Sequence, residues 1–293
     1  MRTKDFIKFI IPSMFVIVLV SLAPSIFTFY RSFTQETLIS KEVLFVGLSN
    51  YKNILSDVRF WNAAGNTVFF TAIVIPIGLI IGFICALMLD KITHLRSFYT
   101  GTLLMPFVIV PVVAALAFGW IFRGSFGIIN YLITSIGLTP PDWFSNPWAA
   151  RFLIIIFEIW KNMPFALIIL FAGLQTLPMQ VEEAADIDGA NYFQKIIYIK
   201  IPLLRNHINF ILAITLVNCF QTFDSIYVLT GGGPGLNTEL IALYNYKMAF
   251  NFFDMGKSSA IAILTIIMMG SILCYFIYSI YKQYKSSQAI IKK

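Results

Sequence analysis

The chain has 293 residues, of which 58% are hydrophobic and only 12% charged, with 29 phenylalanines and a formal net charge of +7. Together with a mean hydropathy of +0.81, this excludes an ordinary soluble domain and points to a polytopic membrane protein. The basic excess, part of it at Lys292 and Lys293, reads as anchoring to the anionic surface of a lipid bilayer rather than as nucleic-acid binding.

Apolar runs near 9–30, 66–89, 103–122, 150–174, 208–229 and 260–281 are each long enough, at about 1.5 Å per residue, to cross a hydrocarbon core of about 30 Å. Lipid offers no partners to backbone groups, so each run is predicted to be a helix that satisfies its own. The expected fold class is an all-α integral membrane protein with six transmembrane helices in a single domain over 1–293.

The first run follows Arg2 and Lys4 like a signal sequence, but it is too long for an h-region, and Pro24 sits where a cleavage site would be sought. An uncleaved first span is expected. The second carries Pro76 with a Gly78-to-Gly82 GxxxG, the third Pro106 and Pro111, and the fourth Pro164; these predict bends and close helix approaches. Basic residues set the orientation. Arg2, Lys4, Lys8, Lys91, Arg96, Lys195, Lys200, Arg205, Lys282, Lys285, Lys292 and Lys293 outnumber Arg31, Lys41, Lys52, Arg59, Arg123, Arg151, Lys247 and Lys257 on the other side. Both termini are therefore expected inside (N-in/C-in).

In the fourth run Glu158 and Lys161 are three residues apart, so they share a helical face and are placed to pair. Lys161 falls near the membrane midplane, about 16 Å from the run's outer end at 1.5 Å per residue. Charges at that depth are candidates for a solute pathway, or for an ion pair that fixes packing.

The segment after it, VEEAADIDGANYFQKIIYIKIP from Val181 to Pro202, is the most polar long stretch and faces inward. Pro178 in a first turn, with Glu182 and Glu183 close behind, predicts a short helix over about 178–187. Ala184 and Ala185 leave it a low surface suited to a close partner, and Gly189 ends it. Asn191 with Gln194 three residues on predicts a capped second helix carrying Phe193, Ile196, Ile197 and Tyr198, which Pro202 ends or bends. By these rules alone the corner is either an amphipathic element lying on the inner leaflet or a docking element for a protein groove.

In the fifth run Asn218, Gln221, Thr222 and Ser225 recur at helical spacing with Asp224 at their edge, predicting one polar stripe toward the bundle interior. Trp160, Phe220, Phe223 and Tyr227 lie nearby in sequence as flat apolar surfaces for a solute, although in a chain with 29 phenylalanines an aromatic side chain more often serves packing.

Catalytic chemistry finds no footing. His94 and His207 belong to no ligand spacing, and Cys85, Cys219 and Cys274 all sit within predicted spans without a CxxC, so no metal or disulfide is expected. Gly231-Gly232-Gly233-Pro234-Gly235 lacks the lysine of a phosphate loop, and Gly256-Lys257-Ser258 has Asn251 where the loop's first glycine belongs; both read as turns. A membrane phosphotransferase using Asp186 and Asp188 lacks further aspartates or an arginine, and an ion-coupled transporter using Glu158, Lys161 and Asp224 is the other alternative.

Glu183-Ala184-Ala185, Gly189, Ile199 and Ile201-Pro202 resemble the EAA loop of binding-protein-dependent ABC importer permeases, with Ile201 where leucine is usual. Tyr227-Val228-Leu229-Thr230-Gly231-Gly232-Gly233-Pro234, then Thr238, Ala249-Phe250 and Met255-Gly256, resemble carbohydrate permeases of the maltose and glycerol-phosphate type, in particular the first of their two membrane subunits. The resemblance covers roughly 66–281 and implies a type I importer permease fold in a bacterial or archaeal cytoplasmic membrane. It implies a heterodimer with a second, homologous permease, two ATP-binding subunits that use ATP and Mg while this chain binds no cofactor, and an extracytoplasmic solute-binding protein that delivers a sugar or oligosaccharide. Glycerol-phosphate or another polyol is the alternative cargo. The resemblance makes Glu182, Glu183, Ala184, Ala185, Asp188 and Gly189 ATPase-coupling residues, with Glu183 the ionic contact. Glu158, Lys161, Asn218, Gln221, Thr222, Asp224, Ser225 and Tyr227 are then the expected substrate pathway.

Overall fold

A computed structural model describes residues 3–36, 43–124 and 126–291. Arg2, Lys41, Lys292 and Lys293 of the orientation argument lie outside the described residues. In chain order the elements are α1 (Thr3–Ile17), a π-helical turn (Val18–Leu22), α2 (Ala23–Arg31), two-residue strands β1 (Thr34–Gln35) and β2 (Leu44–Phe45), α3 (Ser49–Leu55), α4 (Val58–Lys91), α5 (Arg96–Val108), α6 (Pro111–Ile121), α7 (Ile128–Ser135) and α8 (Pro147–Gln175). They continue with α9 (Met179–Ile187), α10 (Tyr192–Lys195), a second π-helical turn (Ile196–Lys200), α11 (Ile201–Leu203), α12 (Arg205–Gln221), α13 (Asp224–Leu229), α14 (Ile241–Phe250) and α15 (Met255–Ile291).

Among the described residues, four helical stretches are long and apolar enough to cross a membrane: Ile10–Arg31, Val58–Lys91, Pro147–Gln175 and Met255–Tyr275. The other two predicted spans are not straight. The 103–122 run is α5 and α6 meeting at 97°, and α12 is bent by 68° from the helical stretch Tyr192–Leu203 before it. The chain has six spans if each bent pair is one.

Proline accounts for the first bend. Pro111 has no N–H to give the Phe107 carbonyl four residues back, so the helix stops at Val108 and restarts at Pro111. Pro76 and Pro164, expected to bend their spans, lie inside helices α4 and α8 that continue without a break.

The chain divides into two compact units, 1–61 with 244–293, and 62–243. In the first, β1 and β2 form a small antiparallel hairpin, and Asn50 of α3 donates to the Ser32 and Thr34 carbonyls at 3.0 and 2.8 Å. The start of α15 closes on it: the Met255 N–H donates to the Glu36 carbonyl at 2.9 Å. A β-carbon at Gly256 would collide with the Thr34 carbonyl oxygen and lie 3.0 Å from Asn50 Nδ2. Gly256→Ala is therefore expected to destabilise the purified protein by about 2 kcal/mol through overpacking, read as a lowered melting temperature in detergent.

In the second unit α8 is the hub, the most buried of the apolar helices, packing on α5, α12 and α13. The glycine of the GxxxG pair that matters is Gly82, where a β-carbon would lie 2.8 Å from Ala166 Cβ and 3.1 Å from the Leu167 nitrogen of α8. Gly78 faces open space. One core cluster joins Ala86, Ala166, Leu170, Leu174, Leu204 and Ile211, and Gly173 lets α8 meet Leu204 and His207 at the head of α12.

Candidate functional site

The predicted polar stripe is interrupted. α12 ends at Gln221, Thr222 is extended, and a new helix starts at Asp224. No proline or glycine marks this break. It nevertheless brings the polar residues together, because Asn218, Gln221, Thr222, Phe223, Asp224 and Ser225 line one cavity of about 310 Å³ with Glu158 and Lys161 of α8. Phe107, Pro111, Phe157 and Asn162 complete the wall. Tyr227 is not in the lining; it stacks on Phe223 with ring centroids 5.4 Å apart. Of the aromatics named with it, Phe220 is buried and Trp160 stacks on Phe118, so only Phe223 faces the cavity.

Among the described residues Glu158 and Lys161 form no ion pair with each other, contrary to the expected i,i+3 pairing. Each instead holds the break in a neighbouring span. The Lys161 ammonium donates to the Phe107 carbonyl at 3.0 Å, the acceptor that Pro111 left without its helical donor. The Glu158 carboxylate accepts from the Ser225 hydroxyl in the first turn of α13 and from Asn162 Nδ2 at 2.6 Å. A buried carboxylate and ammonium are tolerable because each is hydrogen-bonded and they lie one turn apart with opposite charge. Asn162, four residues after Glu158 on the same face, was readable in the sequence as a partner and was missed.

At the other end of α8 the predicted corner forms. Met179–Ile187 is helical, with Pro178 just before its first turn. Its C-terminus is a Schellman turn: Ala190 N–H donates to the Ala185 carbonyl at 2.9 Å and Gly189 N–H to Asp186 at 3.1 Å. Gly189 takes φ +73°, the left-handed region that favours glycine. Asn191 and Gln194 make the reciprocal capping box of α10.

Two expectations for the corner change. Ala185 is buried within the chain, so only Ala184 presents the low surface. Glu182 is turned inward to Lys200 at 2.8 Å, and Lys200 also lies 3.7 Å from Asp90 at the end of α4. Asp186 pairs with Lys195, and Lys91 sits 3.8 Å over the Tyr192 ring. These contacts leave Glu183, Ala184 and Asp188 outward. Met179 and Ile187, unremarked in the sequence, flank Glu183 at i−4 and i+4 and are 73% and 87% exposed, making one outward stripe.

The Gly-rich segment is a fastened turn. Asn66 of α4 donates to the Leu236 and Glu239 carbonyls at 2.9 and 3.2 Å, and Arg151 of α8 donates to the Asn237 carbonyl at 3.0 Å. Thr230 and Thr238 hydroxyls meet at 2.8 Å across its base.

A family model for the inner membrane component of binding-protein-dependent transport systems matches residues 58–284. The chain belongs to that family. This permease is 34% identical over 265 residues to the trehalose/maltose transport system permease protein MalF of Thermococcus litoralis, covering 89% of this chain and 88% of that one. It is 33% identical over 254 residues to the sulfoquinovosyl glycerol transport system permease protein SmoG of Agrobacterium fabrum, covering 86% and 82%. A bacterial alginate ABC transporter, solved with a periplasmic protein bound to alginate pentasaccharide, contains a chain of the same fold, with a TM-score of 0.81 at 20% identity over 94% of this chain and 93% of that one. The permease is thus a multi-pass transport component of the inner membrane, with the type I importer fold, and not an enzyme.

Proposed function

We propose that this permease forms half of the translocation pathway of an ATP-driven importer, carrying a sugar or oligosaccharide delivered by an external binding protein. The observation that carries the reading is the polar cavity at the breaks of two spans: its lining offers amide and hydroxyl groups beside Phe107 and Phe223, the mixture that sugar hydroxyls and ring faces require. The likeness to MalF, a trehalose/maltose permease, and SmoG, a sulfoquinovosyl glycerol permease, supports a saccharide as the cargo class. Asn218, Gln221, Thr222, Ser225 and Asp224 are assigned to the pathway. Glu158 and Lys161 position its walls, and Tyr227 supports Phe223 from behind.

The other half of the pathway is assigned to a second, related permease, and ATP hydrolysis to two separate subunits. With both termini inside, the corner of α9 and α10 faces the cytoplasm and seats in those subunits. It acts as a lever because the Lys200, Lys195 and Lys91 contacts tie it to itself and to α4. Glu183, Ala184 and Asp188 form its outward face, Gly189 sets its angle, and Glu182 with Ala185 holds it rigid from within.

The importer, reconstituted in liposomes with its binding protein and a sugar found by thermal-shift screening of that protein, is expected to hydrolyse ATP faster when the loaded binding protein is added. Uptake driven by an ion gradient without ATP would defeat the reading. Glu183→Lys is expected to reduce the stimulated rate by about tenfold, the size of one reversed ionic contact worth about 1.4 kcal/mol, while Gln221→Ala alters solute preference with assembly intact.

A further inference from the structure

We infer that this half of the pathway accepts an uncharged or cationic sugar, such as an amino sugar, and disfavours an anionic one. The inference rests on the cavity being the pathway, as proposed above. Three ionisable side chains line it, Glu158, Lys161 and Asp224. Recognition of a phosphate, sulfonate or carboxylate is strengthened by a cation that can move to meet it and weakened by carboxylates beside it. Lys161 is the cationic side chain of the lining; it is buried, and one of its three N–H groups tethers it to the Phe107 carbonyl at 3.0 Å. Moving the ammonium out to meet a solute would orphan the carbonyl that Pro111 cannot serve and would separate the wall of α8 from the break between α5 and α6, so its charge stays at the wall, with the Glu158 carboxylate one turn away.

The carboxylates are unequal. Glu158 is buried, its oxygens occupied by Ser225 and Asn162, so it serves mainly as the countercharge to Lys161. Asp224 is exposed and, among the described residues, has no hydrogen bond or ion pair. It sits in the first turn of the six-residue α13, whose dipole supplies about half a positive charge at most. An acidic excess therefore faces the opening. The remaining polar groups, Asn218, Gln221 and Thr222, serve hydroxyls and amines equally well. A full charge about 6 Å from Asp224 across water shifts occupancy by about threefold, up for a cation and down for an anion, so the two differ by about tenfold.

The test reads this field without knowing the sugar. Thr222→Cys, and separately Gln221→Cys, is made in a chain with Cys85, Cys219 and Cys274 replaced by alanine, and the complex is purified with its ATPase subunits. The cysteine is modified with cationic aminoethyl methanethiosulfonate or anionic sulfonatoethyl methanethiosulfonate, and labelling of this chain is followed by mass. Relative to 2-mercaptoethanol in the same buffer, the cationic reagent is expected to be favoured by about tenfold, and Asp224→Asn is expected to remove most of that preference. Equal relative rates, or a preference untouched by Asp224→Asn, would overturn the charge selection while leaving the pathway reading in place. No reaction of either cysteine with either reagent in an assembled complex would show a cavity closed to water and would remove the pathway reading, and this inference with it.

Discussion

Ile187→Asp is expected to release the ATPase subunits from the purified complex. The side chain is 87% exposed at the end of α9, one turn beyond Glu183 and two beyond Met179. An isoleucine that stands clear of its own chain stabilises nothing there, so the melting temperature of the permease itself should hardly move. If the corner seats in a protein groove, burying that side chain contributes about 2–3 kcal/mol, and a carboxylate in its place forfeits that contribution and is itself desolvated. Docking should weaken by about 100-fold, measured as loss of co-purifying ATPase subunits and of their ATP hydrolysis in the membrane fraction. Unchanged co-purification would place the apolar stripe on the leaflet surface, the alternative that helix-capping rules left open.

Lys161→Met should have the next largest effect, and it acts through the wall of the cavity. Methionine keeps most of the volume but removes the ammonium that donates to the Phe107 carbonyl at the break between α5 and α6. It also leaves the buried Glu158 without a nearby cation. An orphaned carbonyl with an uncompensated carboxylate costs about 3 kcal/mol. The assembled complex should melt several degrees lower, and uptake should fall even at permissive temperature because the break loses its tether. Adding Glu158→Gln should restore part of the loss, since the neutral amide no longer needs a countercharge; the double variant should be less damaging than the sum of the singles. Additive losses would mean that the two side chains act independently.

The corner was legible in the sequence because its determinants are local. Gly189, Asn191 and Gln194 act on backbone groups within five residues, and the turn and capping box form as the helix rules require. The direction of its side chains was not legible, since the pull of Lys200 on Glu182 crosses a second helix and a π-helical turn. The cavity was half legible. Polar residues in an apolar run announce themselves by the expense of placing them in lipid, and Asn218, Gln221, Thr222, Asp224 and Ser225 do converge. Their partners are remote in the chain, as Lys161 and Phe107 are at 54 residues apart, so the i,i+3 rule paired Lys161 with the wrong acceptor. Pro111 announced its break, whereas the break at Thr222 has no residue of special backbone geometry to give it away.

α4 carries one more consequence. Its 34 residues reach about 50 Å, well beyond a hydrocarbon core of about 30 Å. The stretch from Val68 to Met88 is apolar and by itself about 30 Å long, so length alone predicts Asn62 and Asn66 at the headgroup level, on a post that holds the Gly-rich turn through the Leu236 carbonyl. Bilayer thickness is therefore expected to bear on that turn. A thicker membrane would draw the two asparagines toward hydrocarbon, tightening the turn against α4, and a thinner one would lift the same anchor into water, where solvent competes for the same hydrogen bonds.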